Sequence, residues 1–332
     1  MNPAKTVHSI AVVVPVYMGE QTLSELVGEL QTLQQICSSP MNHQFRVSEI
    51  ILVNDCGPDR SDEVIRQLAE ASRIVIPVWL SRNFGQHAAT LAGLAASSAD
   101  WVATLDEDGQ HNPNDLGILL DQAITTRSNL VYAEPIASTS HNLIRNSTSR
   151  IAKRLASILS GSSTPLMFSS FRLVSGEIAR SVAAFSGPSV YLDVALSWIT
   201  QSTTSVAVEF RDERRPLSGY STRKLLGHFW KLAVTTGTRP LRLVSAAGAA
   251  TGIIGFLLAG RIIYDKVFNG IAAQGWASVF VGILILGGAV LFAVGIIAEY
   301  LGLVVRSSLG QPTYLTIRDP KSSPVHGRGS DQ

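Results

Sequence analysis

The residues whose types and spacing could do chemistry are Asp106-Glu107-Asp108, which directly follow the apolar, strand-like segment Trp101–Leu105. Hard divalent cations such as Mg²⁺ take oxygen ligands and usually share substrate phosphates instead of filling an all-protein cage. Two carboxylates at a strand end could therefore hold a metal ion against a diphosphate and neutralise the charge on a leaving nucleotide. An Asp-x-Asp pair also occurs in ordinary acidic loops, so the neighbouring elements decide its meaning.

The first part of the chain alternates strand-like and helix-like segments. The predicted strands are Ile10–Val16, Val47–Val53, Ile74–Leu80 and Trp101–Leu105, and the predicted helices follow Thr22 as N-cap, cover Ser61–Ala71 and His87–Ser97, and start at Pro113. Continuous apolar strands alternating with amphipathic helices are typical of a parallel sheet covered on both faces. Ligands bind such sheets beyond the carboxyl ends of the strands. Tyr17, Asp55, Arg82 and Asp106 each follow a predicted strand, so we expect them to share one cleft.

Two uncharged apolar stretches, Leu243–Gly260 and Trp276–Ala298, come later in the chain. They are about 18 and 23 residues long, enough to cross a hydrocarbon core of roughly 30 Å, although a buried core helix would also explain the first. Basic residues precede the first stretch and follow the second: Arg223, Lys224, Lys231, Arg239 and Arg242, then Arg306, Arg318, Lys321 and Arg328. The positive-inside tendency then places both termini in the cytoplasm.

The segment from Arg223 to Thr235 has an apolar stripe separated from its basic residues. This pattern is typical of a helix lying in the lipid headgroup layer, and a helix packed on the soluble domain would also show it. Gly248-x-x-x-Gly252 would let two helices pack closely and suggests a homo-oligomer, although small residues are common in membrane spans.

Several function classes are disfavoured. The net charge of +2 gives no argument for nucleic acid. A Gly-x-Gly-x-x-Gly after the first strand and a phosphate-loop Gly-Lys-Ser/Thr are both absent, which counts against a dinucleotide oxidoreductase and a P-loop NTPase. Cys37 and Cys56 have no metal-type spacing. The apolar run Ile10–Val14 is too short for a signal peptide and ends at Pro15.

Four segments occur in an order and at spacings that resemble family 2 glycosyltransferases of the GT-A fold. They are Val13-Val14-Pro15-Val16-Tyr17, Leu52-Val53-Asn54-Asp55, the stretch from Ser81 to His87, and the stretch from Asp106 to Pro113. Ser218-Gly219-Tyr220-Ser221 is similar to the Ser-x-Tyr segment of polyprenyl-phosphate glycosyltransferases, the group that contains dolichol-phosphate mannose synthase. Arg239-Pro240-Leu241-Arg242 and Glu299-Tyr300-Leu301-Gly302 resemble the bacterial two-helix members. The resemblance covers nearly the whole chain.

The resemblance implies an α/β fold and a membrane anchor. A GT-A catalytic domain, Rossmann-like with a mostly parallel sheet, is expected over residues 1–221, and an interfacial amphipathic helix over 222–240. A transmembrane hairpin is expected over 241–300, with spans at about 241–263 and 275–300, and a cytoplasmic tail over 301–332. The implied location is a bacterial-type inner (plasma) membrane, with the catalytic domain and both termini on the cytoplasmic side of the bilayer.

The implied activity is metal-dependent, inverting transfer of a sugar from a UDP- or GDP-sugar to a polyprenyl phosphate of the undecaprenyl type. The product would be a lipid-linked sugar for cell-envelope glycosylation, and the cofactor would be Mg²⁺ or Mn²⁺. A phosphomonoester has a second pKa of about 6 and is an anion at neutral pH, so this acceptor needs little help from a general base. Two rivals stay open: a non-catalytic membrane scaffold, and a glycosyltransferase that uses a hydroxyl acceptor.

The resemblance also implies roles for single residues on the donor side. Asp55 matches the carboxylate that reads the nucleotide base. Asp106 and Asp108 match the diphosphate and metal pair, with Gln110 completing the metal surroundings. The further substrate-binding candidates on this side are Pro15, Tyr17, Glu20, Arg82 and Gln86.

On the acceptor and sugar side, Arg145 and Ser149 match positions near the acceptor phosphate, although a solvated basic face would also explain Arg145. Arg214 matches an arginine that closes over the donor phosphates. Asp193 matches an acidic position that orients the sugar, with a helix-capping or structural role as the alternative. Ser218 completes the substrate-binding set, and the catalytic set is Asp108, Asp193 and Arg145.

The chain departs from the family pattern at four places. Met18-Gly19-Glu20 stands where Asn-Glu is usual, Glu134 where an arginine is common, Met167 where an aspartate is common, and Pro216 where a glycine is common. These departures lie mostly on the acceptor and sugar side. They predict an altered sugar preference, and an inactive copy would also show them.

Overall fold

The structure, a computed structural model, describes residues 6–136, 169–187, 191–200, 202–211, 239–268 and 275–322. The strands are β1 Val7–Val16, β2 Cys37–Ser38, β3 Gln44–Asn54, β4 Val75–Leu80, β5 Trp101–Thr104, β6 Leu130–Pro135, β7 Arg172–Ser175, β8 Thr203–Val208 and β9 Thr316–Ile317. The helices are α1 Leu23–Thr32, α2 Ser61–Ala71, α3 Gln86–Ala96, α4 Leu116–Thr126, α5 Gly176–Phe185, α6 Leu192–Ile199, α7 Arg239–Phe268 and α8 Trp276–Ser308. The strand and helix series predicted for the first part of the chain is confirmed.

The sheet has the strand order β8-β6-β7-β5-β1-β3-β4-β9, with β2 pairing on β3. Its centre is parallel: β1 pairs with β3 and β5, and β3 pairs with β4. The antiparallel pairs involve β7, β9 and β2. The expected mostly parallel α/β sheet is therefore confirmed at the centre, while its margins are mixed because β7 runs against both of its neighbours.

Two hydrophobic cores cover the two faces of the sheet. Along β1, Ile10, Val12 and Val14 face one core, which α1, α2 and α4 complete. Ala11 and Val13 face the other core, which α3, α5 and α6 complete. Successive side chains of a strand point to opposite faces, so a strand that is apolar throughout can be buried on both sides. This explains why the continuous apolar runs in the sequence became central strands.

The carboxyl ends of the central strands lie side by side. Val16 at the end of β1 is paired with Asn54 of β3, and Asn54 is paired with Trp79 of β4. On the other side, Val13 is paired with Thr104 of β5. The loops that follow these four strands therefore emerge from one edge of the sheet, where the sequence places its candidate residues.

The chain divides into two compact units. One comprises residues 1–147, 164–221 and 312–332, and the other residues 148–163 and 222–311. In the second unit, α7 has 30 residues and α8 has 33. Their apolar side chains are largely exposed; examples are Phe256, Leu257, Leu291 and Phe292.

Only one helix of the described part, α8, is long and apolar enough to cross a membrane. Its qualifying window is Ile285–Gly302, with a mean hydropathy of 2.0. The apolar part of α7 is shorter, Val244–Leu258. Small and polar residues such as Ser245, Gly248 and Thr251 dilute its hydrophobicity. Both predicted apolar segments are helical. The two-span hairpin is not confirmed, because the apolar part of α7 is too short to cross a membrane by the criterion that α8 meets.

The segment after α8 returns to the sheet of the first unit. Residues 316 and 317 of β9 pair antiparallel with Leu80 and Trp79 of β4. The Ser81 N–H donates to the Leu315 carbonyl at 2.9 Å. Asp319 accepts from Nε of Arg66 at 3.0 and 2.8 Å. Part of the region expected as a tail is therefore the outermost strand of the sheet, next to β4.

Candidate functional site

Side chains alternate in exposure along the loop after β5. Asp106, Asp108 and Gln110 are half-buried, whereas Glu107 and Gly109 are buried. The three candidate metal ligands are thus part-exposed, whereas the Glu107 side chain is directed into the protein, towards the loop after β1.

Asp106 is held by three neighbours. One carboxylate oxygen accepts from Nε2 of Gln86 at 2.5 Å, and the other accepts from the Ser170 hydroxyl. The Asp106 backbone N–H donates to Nδ1 of His111 at 3.1 Å. Two of the predicted residues, Gln86 and Asp106, are thus brought together.

His111 is buried between two phenylalanine rings. Its ring stacks on Phe171 and meets Phe210 edge-on, each with centroids 5.0 Å apart. Burial lowers the pKa of His111, while Asp106 and Asp108 act in the opposite direction. Because Nδ1 accepts a hydrogen bond from a backbone N–H, this ring is neutral with its proton on Nε2. His111 therefore supports the acidic loop through its hydrogen bond with the Asp106 backbone and adds no charge to it.

Asp108 and Gln110 form the turn that follows. The Gln110 N–H donates to Oδ1 of Asp108 at 3.0 Å, and Gly109 between them has φ +77°. A positive φ is readily adopted by glycine, so the turn can fold back within three residues. The Gln110 carbonyl accepts from the backbone N–H of Arg211 at 2.9 Å.

Arg211 also binds this end of the site through its side chain. Its guanidinium pairs with Glu29 at 2.8 Å and donates to Oδ1 of Asn112 at 2.9 Å. Arg211 is thereby fixed to the acidic loop at the point where the described residues stop, three positions before Arg214. Sequence reasoning missed it, because the only signal was one arginine among several before residue 216.

Asp55 accepts hydrogen bonds from two backbone N–H groups of the loop after β4. Oδ1 accepts from the Phe84 N–H at 2.7 Å and Oδ2 from the Gly85 N–H at 2.9 Å. Burial raises the pKa of the Asp55 carboxyl above its ordinary value, and the two backbone donors act against that rise. Asp55 therefore fixes the loop after β4 to the loop after β3. A carboxylate has about four acceptor sites, so it retains capacity for a ligand.

The remaining donor-side candidates surround these loops. Pro15 is buried in β1. Tyr17 is 41% exposed at the end of that strand. The Arg82 guanidinium lies over the Phe84 ring, 4.2 Å from its centroid. Glu20 forms an ion pair with Arg60 at 2.7 Å. Tyr17 and Arg82 thus have accessible side chains, whereas Glu20 is engaged with a neighbour.

Asp193 lies in a buried ionic cluster. Its carboxylate accepts from the Tyr132 hydroxyl at 2.9 Å and is bonded to the Arg172 guanidinium. Burial raises the pKa of Asp193, and Arg172 opposes that rise. The Arg172 Nε is buried without a hydrogen-bond partner in the described part of the chain. These contacts match the structural alternative for Asp193, and they add Arg172 and also Tyr132, which the sequence did not single out.

Four candidate residues, Arg145, Ser149, Arg214 and Ser218, lie outside the described residues, as do Met167, Pro216 and the basic segment from Arg223 to Thr235. Glu134, the other departure from the family pattern, is exposed near the end of β6. Within the described ranges, no group of three or more His, Cys, Asp or Glu side chains could hold a metal ion. The predicted ligand set of two carboxylates and one amide is of a different kind, and its remaining ligands would come from substrate.

Comparison with known proteins gives a consistent set of relatives. Residues 11–182 match the family model described as glycosyl transferase family 2. An undecaprenyl-phosphate 4-deoxy-4-formamido-L-arabinose transferase of Edwardsiella ictaluri is 29% identical over 318 residues, 95% of each chain. A prophage-derived bactoprenol glucosyl transferase of Shigella flexneri is 26% identical, covering 95% of this chain and 99% of that one.

Among solved structures, glucosyl-3-phosphoglycerate synthase of Mycobacterium tuberculosis, in complex with Mn²⁺, UDP and phosphoglyceric acid, has a TM-score of 0.48 at 20% identity. The similarity covers 69% of this chain and 77% of that one. A likeness at this level has no bearing on activity.

Proposed function

The chain belongs to glycosyl transferase family 2 and is a glycosyltransferase, and from this premise we propose that it transfers a sugar from a nucleoside diphosphate sugar to a polyprenyl phosphate. The acidic loop carries the proposal. Asp106, Asp108 and Gln110 are each part-exposed in the loop that follows β5 at the carboxyl edge of the sheet. The relatives named for undecaprenyl phosphate and bactoprenol match this chain over 95% of its length, which supports the choice of acceptor.

The donor set suits a hard divalent cation. Asp106, Asp108 and Gln110 offer only oxygen ligands, which Mg²⁺ and Mn²⁺ prefer. Asp106 already orders Gln86 and Ser170 around it, so its carboxylate is oriented before any ligand arrives. When bound there, the ion would offset the negative charge that the departing nucleoside diphosphate acquires.

The chain's own residues would bind and orient the two substrates. Asp55, Tyr17 and Arg82 would receive the nucleotide at the ends of β1, β3 and β4. A guanidinium is well suited to phosphate because its fork can donate two parallel hydrogen bonds. Pro15 and Glu20 would support this side through the β1 end and the loop that follows it. Arg214 would close over the donor phosphates.

The acceptor lipid would reach the site from the membrane. Arg145, Ser149 and Ser218 would meet its phosphate, and Asp193 would act on the sugar either directly or through Arg172 and Tyr132. An oxygen of the lipid phosphate would attack the anomeric carbon as the bond from that carbon to the nucleoside diphosphate breaks. The leaving group keeps the electron pair, and the configuration inverts. Positioning and charge neutralisation account for the rate.

The location follows from the same acceptor. A long-chain polyprenyl phosphate resides in a bilayer, and α8 is long and apolar enough to anchor the enzyme there. We propose a multi-pass protein of a bacterial-type plasma membrane with the catalytic domain on the cytoplasmic side, where nucleotide sugars are made. In the single chain, a Cβ added at Gly248 or Gly252 would meet nothing within 4 Å, so this stripe is open to a second copy.

The test is a donor screen with the lipid as acceptor. Purified full-length protein is incubated with undecaprenyl phosphate, a panel of UDP- and GDP-sugars and Mg²⁺ or Mn²⁺, and the lipid is analysed by mass spectrometry. We expect one sugar to be added per lipid phosphate. Asp108→Asn keeps the shape but removes a charge, so turnover should fall by at least about 100-fold, the scale of losing one preorganised charge contact.

Glu70→Gln provides the matched control, since it makes a similar carboxylate-to-amide change on the exposed face of α2. It should keep full activity. Full turnover by Asp108→Asn in excess EDTA would refute the metal-assisted mechanism. Sugar added only to hydroxyl compounds would refute the phosphate acceptor, and failure to bind any nucleotide sugar would favour a scaffold.

A further inference from the structure

Glu107, the middle residue of the acidic loop, is bound to the loop that follows β1. Its carboxylate accepts from the backbone N–H groups of Tyr17 and Met18, each at 3.0 Å. Its carbonyl accepts from the Thr22 hydroxyl at 2.5 Å. Glu107 is only 8% exposed. Both its side chain and its backbone therefore hold a segment that lies about 90 positions away in the sequence.

Gly19 is shaped to this arrangement. A Cβ at position 19 would stand 2.7 Å from Oε2 of Glu107 and 3.1 Å from a methyl of Val16. The carboxylate could retreat only by giving up its two backbone donors. The Gly19 N–H donates to the Ser61 hydroxyl at 2.7 Å, which fixes the same loop from its other side. Glycine at position 19 therefore leaves the space that the Glu107 carboxylate occupies.

Thr22 shows how this contact overrides local structure. The sequence predicts Thr22 as the N-cap of α1, and it does occupy that position, but its side chain makes no capping hydrogen bond. Its hydroxyl reaches the Glu107 carbonyl instead. A capping hydroxyl stabilises a helix by accepting from a free backbone N–H of its first turn, and Thr22 makes the bond to Glu107 in place of that local one.

We propose that Glu107 is a positioning residue that locks the Tyr17–Gly19 loop to the Asp106 and Asp108 pair, with Gly19 as its matched position. This inference rests on the proposed function, because it assumes that the first loop receives the nucleotide and the acidic loop receives its phosphates. Of the loop residues that depart from the family pattern, Met18 donates to Glu107 and Gly19 lies against its carboxylate. Glu107 acts by fixing the distance between the two loops and not as a metal ligand.

The first experiment separates positioning from mere folding. In Glu107→Gln one carboxylate oxygen is replaced by an amide NH2 group, which cannot accept a hydrogen bond from an N–H. The loop therefore loses one of its two hydrogen bonds to this side chain. Binding of UDP and of GDP with Mn²⁺ is measured by calorimetry on the full-length protein at a temperature where the variant is folded. We expect the dissociation constant of the preferred nucleotide to rise on the order of tenfold, and the donor KM to rise with it while kcat changes less than about threefold.

Glu70→Gln again serves as the control and should leave affinity and KM unchanged. A Glu107→Gln protein that melts earlier yet binds nucleotide and donor as tightly as wild type would overturn the proposal, because it would show a structural role only. A loss confined to kcat would overturn it as well.

The second experiment is a double-mutant cycle between positions 19 and 107. Gly19→Ala alone should weaken nucleotide binding, because its Cβ would displace the Glu107 carboxylate. In a Glu107→Ala background the same Gly19→Ala change should cost less than about twofold, since only the contact with Val16 remains. Equal losses in both backgrounds would show that Gly19 acts independently of Glu107 and would overturn the matched pair.

These readouts distinguish the inference from the proposed function. If the wild type binds a nucleotide with Mn²⁺ but adds no sugar to the lipid, the acceptor assignment fails while the affinity comparison and the cycle still decide the role of Glu107. If the wild type binds neither UDP nor GDP, these two loops do not receive a nucleotide. The positioning role of Glu107 is then refuted together with the proposed donor site.

Discussion

Neighbouring residues in the acidic loop do different work because they point in different directions. Asp106 and Asp108 are part-exposed, while Glu107 is buried against the loop after β1. In the proposed function Asp106 and Asp108 would bind the ligand and Glu107 would hold the neighbouring loop, although the three carboxylates are adjacent in sequence. A substitution in this loop is best interpreted by the side on which it falls and not by the charge it removes.

Gly57 offers a residue-scale prediction. A Cβ at this position would lie 1.5 Å from the Tyr17 carbonyl oxygen and 2.5 Å from its carbon. Backbone atoms cannot yield as a flexible side chain would, so Gly57→Ala should displace the turn after Asp55, lower the melting temperature and weaken nucleotide binding at least about tenfold. Thermal melting and nucleotide titration of the full-length protein provide the measurement.

Gly28→Ala is the control, and it should change the melting temperature in the opposite direction from Gly57→Ala. Gly28 is exposed in α1 and a Cβ there would meet nothing within 4 Å. Alanine is favoured over glycine in a helix interior by roughly 0.5–1 kcal/mol, so this variant should melt slightly higher with unchanged binding. If both glycine variants behaved alike, the close approach at Gly57 would not be what matters.

The sequence predicted which strand ends carry the site but not how the side chains pair. Asp55 and Asp106 are predicted from their positions after strands, Gln86 is implied by the family resemblance, and the structure brings Gln86 to Asp106. What Glu107 meets depends on a loop about 90 residues earlier, and no local pattern encodes a contact of that range.

At the scale of elements, β9 is the feature that local patterns could not predict. It has two residues, Thr316 and Ile317, and gains its strand conformation from pairing with β4. The regular series up to α4 was predictable because long apolar strands and amphipathic helices carry their own periodicity. The strands β7 and β8 come from Ser/Thr-rich sequence with weak alternation, so tertiary pairing decides their conformation.

The ion pair that fixes the end of this segment yields a stability prediction. Arg66 binds Asp319 and Asp62, and its guanidinium lies 4.9 Å from the Trp79 ring centroid. Asp319→Asn should destabilise the attachment of the segment by about 1 kcal/mol, between the values for an exposed pair and for a charged hydrogen bond in a partly buried site. Hydrogen exchange at the Ser81 amide, which donates to Leu315, should accelerate about fivefold.

The control and the pH dependence follow from the neighbouring charges. Lys321 lies 3.6 Å from Glu63 and both side chains are exposed, so Lys321→Gln should change exchange very little. The bond to Arg66 lowers the pKa of Asp319, so its stabilising effect is present above the unfolded value of about 3.9 and is lost as the pH falls through the lower folded value. Faster exchange in Lys321→Gln than in Asp319→Asn would contradict this assignment.

At the scale of the whole molecule, the sequence predicted two apolar segments, and both are helices. The second meets the length and hydropathy expected of a membrane span, while the first is diluted by small residues. Composition therefore predicted a helical second unit, but it did not settle the number of crossings. That number decides which compartment each end of the chain occupies.

Topology is tested by labelling single cysteines at Asn269 and Ser330, positions chosen from the sequence, in a background where Cys37 and Cys56 are replaced by alanine. Because basic residues flank the apolar segments on the terminal sides, an impermeant reagent added outside intact cells should label position 269 and spare position 330. Labelling after permeabilisation serves as the control. Outside labelling of position 330 and protection of position 269 would place the catalytic unit away from nucleotide sugars and contradict the proposed location.

The return of the chain as β9 has a consequence for making a water-soluble fragment. Ending the protein before α7 would keep β1 to β8 but remove residues 312–322, leaving the edge of β4 at Trp79 and Leu80 without its antiparallel partner strand. An uncovered edge strand is a template for pairing with other chains. Such a fragment would aggregate for reasons unrelated to lipid, and a short flexible linker that rejoins residues 312–322 to the truncated end would restore the missing strand.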